Sequence, residues 1–210
     1  MHLSRRQALA GLTMFALVGP IGPGAAQTPN LADLSTPGPL GDKALGSATA
    51  PVTIIEYASV TCPYCATFHN ETYPKLKEKY IDTGKVRLIL REFPTGPVNA
   101  SIAGFMLARC SGDKYFPMVG AMFEQQQAWT ANPYEGLLRI ARQAGMTQEG
   151  FESCLKDRTL ANEIVESGRR AVEKFGVEST PTFFVNGTKI VGAQPLAAFE
   201  KAIEAVLKTN

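Results

Sequence analysis

The chain has 210 residues, of which 45% are apolar and 19% charged. That is enough for one domain, or one domain with a sizeable insertion, and it excludes a wholly disordered chain. Outside residues 1–26 the basic and acidic residues are equal at 19 each, which argues against a generic binder of nucleic acid or anionic membrane. His2 and His69 are the only histidines, so a multi-histidine metal site is excluded.

Residues 1–26 have the layout of an export signal. Arg5 and Arg6 precede an apolar run, Ala8 to Val18, which Pro20, Gly22, Pro23 and Gly24 break. The run is too short to span a bilayer comfortably. Small residues lead up to Ala26, where cleavage is expected. Ser4-Arg5-Arg6-Gln7-Ala8-Leu9 resembles a twin-arginine signal, with Ala8 departing from that pattern, and general secretion is the alternative. The mature protein is then expected in the periplasm, where disulfides persist.

Residues 27–51 are rich in Pro, Gly, Ser, Thr and Ala. They read as a flexible lead-in with a short edge strand near Ala44–Leu45. The β-branched run Val52 to Ala58 predicts a strand, followed by a turn from Ser59 to Cys62. A helix should run from Pro63 to about Asp82, kinked at Pro74, with a second strand from Val86 to Phe93. A strand–helix–strand unit of this kind makes a parallel pair. Residues 94–176 carry only helical patterns, near 100–111, 115–127, 133–144, 148–156 and 161–175. Phe183-Phe184-Val185, Asn186-Gly187 and Ile190-Val191 predict a hairpin, and Leu196 to Leu207 a closing amphipathic helix. The fold class is α/β, split by an all-helical insertion: one domain over 52–210, with core parts at about 52–93 and 177–210 and the insertion at about 94–176.

Cys62-Pro63-Tyr64-Cys65 carries the chemistry. The first cysteine falls where a helix begins. Backbone N–H groups there lack intrahelical partners, and the helix end favours a thiolate. Pro63 suits the first helical position. Cysteines three apart can close a small disulfide ring, with Cys62 exposed at the helix tip and Cys65 one turn deeper. Exchange needs this asymmetry between an attacked sulfur and a leaving one. The alternatives are half of a zinc site and a fixed structural staple. The other two cysteines, Cys110 and Cys154, are 44 residues apart and do not supply the missing half.

The segment Glu56-Tyr57-Ala58-Ser59-Val60-Thr61-Cys62-Pro63-Tyr64-Cys65 resembles the DsbA-like thiol-disulfide oxidoreductases, whose thioredoxin fold carries a helical insertion. Val177 to Gly187, with Ser179-Thr180-Pro181-Thr182, resembles their second signature, a loop with a cis-proline. The resemblance covers roughly Asp42 to Lys208. It implies that Cys62 is the nucleophile, Cys65 its buried partner, and Pro181 the cis residue facing the disulfide. It further implies that the Thr180 backbone pairs with an extended substrate. Glu56 matches an acid kept behind the active site, where a buried carboxyl would exchange a proton with Cys65. Tyr64 stands where the best-known members have histidine, so the Cys62 thiolate is expected to be stabilised, but less than theirs.

The resemblance implies an oxidase that introduces disulfides into unfolded or reduced exported proteins. A membrane quinone-linked DsbB-type partner would reoxidise it, and no organic cofactor, metal or nucleic acid is required. The alternatives are a reductase or isomerase of the same fold, or a copper or zinc chaperone using the two thiols. Isomerases of the superfamily usually carry a dimerisation domain ahead of the fold, for which residues 27–51 are too short. Cys110 and Cys154 are expected to pair as a structural disulfide, which some members carry in the insertion. A redox relay and two free thiols are the other readings. Met106, Met118, Met122, Phe105, Phe116 and Phe123 read as core, or else as a greasy substrate groove. His69 is expected on the surface, Arg91 beside an acid, and Lys75, Lys77, Glu78 and Lys79 on a solvated helix face.

Overall fold

The computed structural model describes residues 31–208; the expected export signal lies outside them. At its centre is a five-stranded sheet in the order β1-β3-β2-β4-β5, made by β1 (Lys43–Leu45), β2 (Val52–Ala58), β3 (Val86–Glu92), β4 (Thr182–Val185) and β5 (Thr188–Val191). β2 and β3 are parallel, with Ile55 opposite Ile89, and the other neighbours are antiparallel. β2 is central and buried on both faces, which suits its β-branched run. Its alternate residues point to opposite sides. Ile54 joins Phe68, Leu76, Phe183, Phe199 and Ile203 in one core. Ile55 and Tyr57 join Leu34, Phe175 and Phe184 in another. The hairpin turn has Asn186 at φ 42° and Gly187 at φ 91°, the positive pair that a two-residue turn between twisted strands requires.

Two helices complete the first core face. One is α10 (Leu196–Leu207). The other leaves the β2 turn as α2 (Pro63–Thr67), widens into a π-turn at Phe68–Thr72, and continues as α3 (Tyr73–Leu76) and a second π-turn at Lys77–Ile81. A kink was the expectation at Pro74. Instead the turn before it widens, and the Tyr73 N–H bonds five residues back to the Phe68 carbonyl.

Between β3 and β4 the chain is helical: α4 (Val98–Cys110), α5 (Tyr115–Glu124), α6 (Gln126–Ala131), α7 (Pro133–Gln143), α8 (Gln148–Leu155) and α9 (Arg158–Phe175). Met106, Met118, Met122, Phe105 and Phe123 are buried among them and Phe116 packs against the same cluster, so these side chains are core; Phe123 also edges a groove beside Pro63 and Ala66, and Met118 one with Ala121 and Ile140. The run expected as one helix over 115–127 breaks at Gln125. α9 begins three residues earlier than periodicity predicts because Asp157 accepts the Leu160 N–H at 2.9 Å as an N-cap. Gly104 brings α4 against the turn before Cys62, since a Cβ there would stand 2.9 Å from Val60. Cys110 and Cys154 are bonded, tying α4 to α8 with Cα atoms 6.2 Å apart. In the chain-entropy picture such a loop adds about 4 kcal/mol. Among the described residues no helix is long and apolar enough to cross a membrane.

The segment before β2 departs from the expected flexible lead-in. From Leu31 it forms α1 (Leu31–Ser35) and β1, and Leu34 is buried. Arginines strap it down. Arg91 bonds Asp42 through two nitrogens at 2.9 and 3.1 Å, and also reaches the Leu34 carbonyl and the Tyr57 hydroxyl. Arg109 grips Glu92 at 2.6 and 2.9 Å and the Leu40 carbonyl at 2.7 Å. Polar composition gave no hint of this, because the anchors come from β3 and α4. Arg91→Ala leaves Asp42 nearly buried and unpartnered, so it should cost about 3–5 kcal/mol in chemical denaturation. Arg169→Ala removes only exposed pairs with Glu166 and Glu173 and should cost under about 1 kcal/mol. Equal midpoints for the two variants would refute the strap.

Candidate active site

The C-terminal end of β2 delivers the chain into a buried turn. Ser59 Oγ is 2.8 Å from Ser101 Oγ and 2.9 Å from Thr61 Oγ1, and it accepts the Thr95 N–H at 3.2 Å. Gln126 donates to the carbonyls of Val60 and Cys62 at 2.8 and 3.0 Å. These contacts fix the turn that presents Cys62 as the N-cap of α2, with Pro63 at the first helical position. Ser59, Thr61, Ser101 and Gln126 were not singled out from the sequence. Apart from the Ser59–Thr61 contact, their partners lie 34 to 66 residues away, and no local pattern marks that.

Cys62 and Cys65 are both free thiols. The expectation that Cys62 stands exposed at the helix tip is corrected: it is 8% exposed and Cys65 is 0%, while Tyr64 is 67% exposed. The loop before β4 and Gln126 close over Cys62, whose Sγ lies 3.2 Å from the Thr180 carbonyl. Thr180 and Pro181 are joined by a cis peptide bond, 118 residues on from the cysteine they face.

The two sulfurs have opposite proton affinities. Cys62 is lowered to about 5, chiefly by the hydrogen bond from the Cys65 thiol, with help from the Thr180 side chain and the N–H groups of Cys65 and Tyr64; burial opposes this. Cys65 is pushed well above the ordinary thiol range, first by burial, then by its bond to Cys62 and by the negative charges of Cys62 and Glu56. The backbone N–H of Ser59 points at its sulfur from 3.5 Å. The arrangement therefore holds one thiolate near the surface and one thiol behind it, the polarity that dithiol–disulfide exchange uses.

Glu56 is fully buried on the β2 face beneath the active-site helix, in register with Phe183. Its carboxylate meets His69, whose Nε2 lies 2.9 and 3.1 Å from the two oxygens. His69 is thus no surface residue: its side chain is 7% exposed and its ring stacks on Phe123. A signal for this was available, since His69 follows Cys65 by four residues and so shares its helix face. Among the described residues no group of three or more His, Cys, Asp or Glu could hold a metal ion.

Residues 40–205 match the thioredoxin family model. A protein of Rickettsia bellii named as a protein-disulfide oxidoreductase is 34% identical over 170 residues, covering 78% of this chain. The chain spans 65% of that relative's length. The crystal structure of alpha-DsbA1 from Wolbachia pipientis superposes with a TM-score of 0.79 at 34% identity, over 86% of this chain and 97% of that one. Oxidised BdbD from Bacillus subtilis superposes with a TM-score of 0.70 at 25% identity, over 80% and 93%. The chain belongs to the thioredoxin family, within its DsbA-like thiol-disulfide oxidoreductases.

Proposed function

We propose that the protein is an exported, periplasmic thiol-disulfide oxidoreductase that introduces disulfides into other exported proteins. A substrate thiolate attacks Cys62 Sγ in the oxidised form, and Cys65 leaves and takes up a proton. A second substrate thiol loses its proton and attacks the mixed disulfide. The substrate dithiol becomes a disulfide, and the enzyme keeps two electrons as Cys62 thiolate and Cys65 thiol. A quinone-linked partner of the DsbB type removes them. In this reading the Thr180 backbone aligns an extended substrate, Pro181 packs it against the sulfurs, and Pro63 and Tyr64 set the helix start and its outer surface. Cys110–Cys154 stays structural.

The observation that carries the reading is the Cys62 sulfur 3.2 Å from the Thr180 carbonyl, its thiol lowered, with the raised Cys65 thiol buried behind it. Stabilising the reduced form makes the disulfide a stronger oxidant. That favours the oxidase over the reductase. Hydrogen bonds supply the stabilisation although Tyr64 brings no charge. The test is the reduction potential of Cys62–Cys65 in a variant with Cys110→Ser and Cys154→Ser. A value above about −180 mV, the potential of protein disulfide isomerase, is expected. A value below about −230 mV would place the couple with reductants and overturn the oxidase direction.

A further inference from the structure

Exchange at the two sulfurs leaves the imidazole beneath them without a task. His69 is nonetheless held on every side. Its ring lies 4.1 Å from Phe123 at 19°, edge-on to Phe68 at 5.3 Å, and 5.0 Å from Tyr73. The π-turn at Phe68–Thr72 carries it, and widened turns of this kind gather at functional sites. Among the described residues, Glu56 is hydrogen-bonded by His69 alone, through one nitrogen shared between two oxygens. An ionised carboxylate only accepts, so the contact is a donation in the tautomer with hydrogen on Nε2. A buried carboxylate with a single donor is held in place by that contact. The charge matters because it acts on Cys65. The other titratable groups that feel Glu56 are Tyr73 and Tyr115, both raised mainly by burial and therefore neutral at pH 7.

We propose that His69 is a positioning residue of the redox centre: its Nε2 contact with both carboxylate oxygens holds Glu56 beneath Cys65, and so sets the field at the Cys65 sulfur. This rests on the exchange reading above. Without that contact the carboxylate is free to turn away from the thiolate–thiol pair, and the negative charge beneath it weakens. The reduced form is then favoured.

The test is the equilibrium of the Cys62–Cys65 disulfide with glutathione from pH 5 to 9, which needs no protein substrate. His69→Phe keeps the ring stack and removes the donor; His69→Gln keeps an N–H donor; Glu56→Gln removes the charge. H69F and E56Q should each move the equilibrium toward the reduced form at pH 7 by about tenfold, the equivalent of one unit of proton affinity. The double variant should go no further than either single one. H69Q should stay near the parent. A merely structural histidine would lower stability without moving this equilibrium. An H69F profile that overlays the parent, or adds to that of E56Q, overturns the proposal. Should H69F not fold, nitrogen-15 NMR of the parent decides: His69 protonated on Nε2, with a resonance altered by E56Q, is expected, and protonation on Nδ1 alone refutes it. If the protein fails to oxidise dithiol peptides while the glutathione profile holds, the oxidase reading falls and this one stands.

Discussion

Replacing Cys65 by serine should stop turnover and leave Cys62 trapped in a mixed disulfide with its substrate. The reasoning is geometric. Cys62 is the sulfur that faces Thr180, and Cys65 is fully buried behind it. A substrate can reach the first sulfur and not the second. Without Cys65 no internal thiol is present to reverse a stalled exchange, so the adduct persists. Incubation with an oxidised single-cysteine peptide, followed by non-reducing electrophoresis and mass measurement, should show a one-to-one adduct for Cys65→Ser. Cys62→Ser should show none, and both variants should lose dithiol-peptide oxidation to background. An adduct on Cys65 in Cys62→Ser would mean that the roles are reversed.

Titrating the reduced protein at 240 nm should show one thiolate forming with a midpoint near pH 5. The cause ranked first is the hydrogen bond from Cys65, so Cys65→Ala should raise that midpoint by a unit or more. Cys65→Ser retains a donor and should move it less. The same shift bears on stability. A folded thiol at about 5, against an ordinary value of 9.0, stabilises the reduced fold fully above pH 9. That contribution shrinks as pH falls and is gone below about 5. At pH 7 it is about 3 kcal/mol, from 1.36 kcal/mol per pH unit over the interval down to the folded value. Denaturant unfolding of the reduced and oxidised forms at pH 4.5 and 7 should therefore differ in their pH dependence by about that amount. If the reduced form gained no stability relative to the oxidised one between those pH values, the thiolate would not be the source of oxidising power.

The sequence by itself determined the redox motif and, from β2 onward, the order of strand–helix–strand unit, helical block, hairpin and closing helix. Cys62-Pro63-Tyr64-Cys65 after a β-branched strand is legible because its spacing is local: a helix start, a proline that tolerates it, and a second sulfur one turn on. The parallel unit, the Asn186-Gly187 hairpin and the helical block between 94 and 176 are legible for the same reason, since periods of two and 3.6 are read within a few residues. Only the tertiary structure decided what surrounds the sulfurs. Gln126 and Ser101 come from the insertion, and Thr180 arrives 118 residues after Cys62. The same holds for the arginine strap that orders residues 31–45, and for the burial of Cys62 by the distant loop before β4 and the start of α6. His69 shows the boundary between the two. Its helix face was written in its distance from Cys65. Its partner was not, because a charge on a strand and an imidazole on a helix meet only when burial denies both of them water.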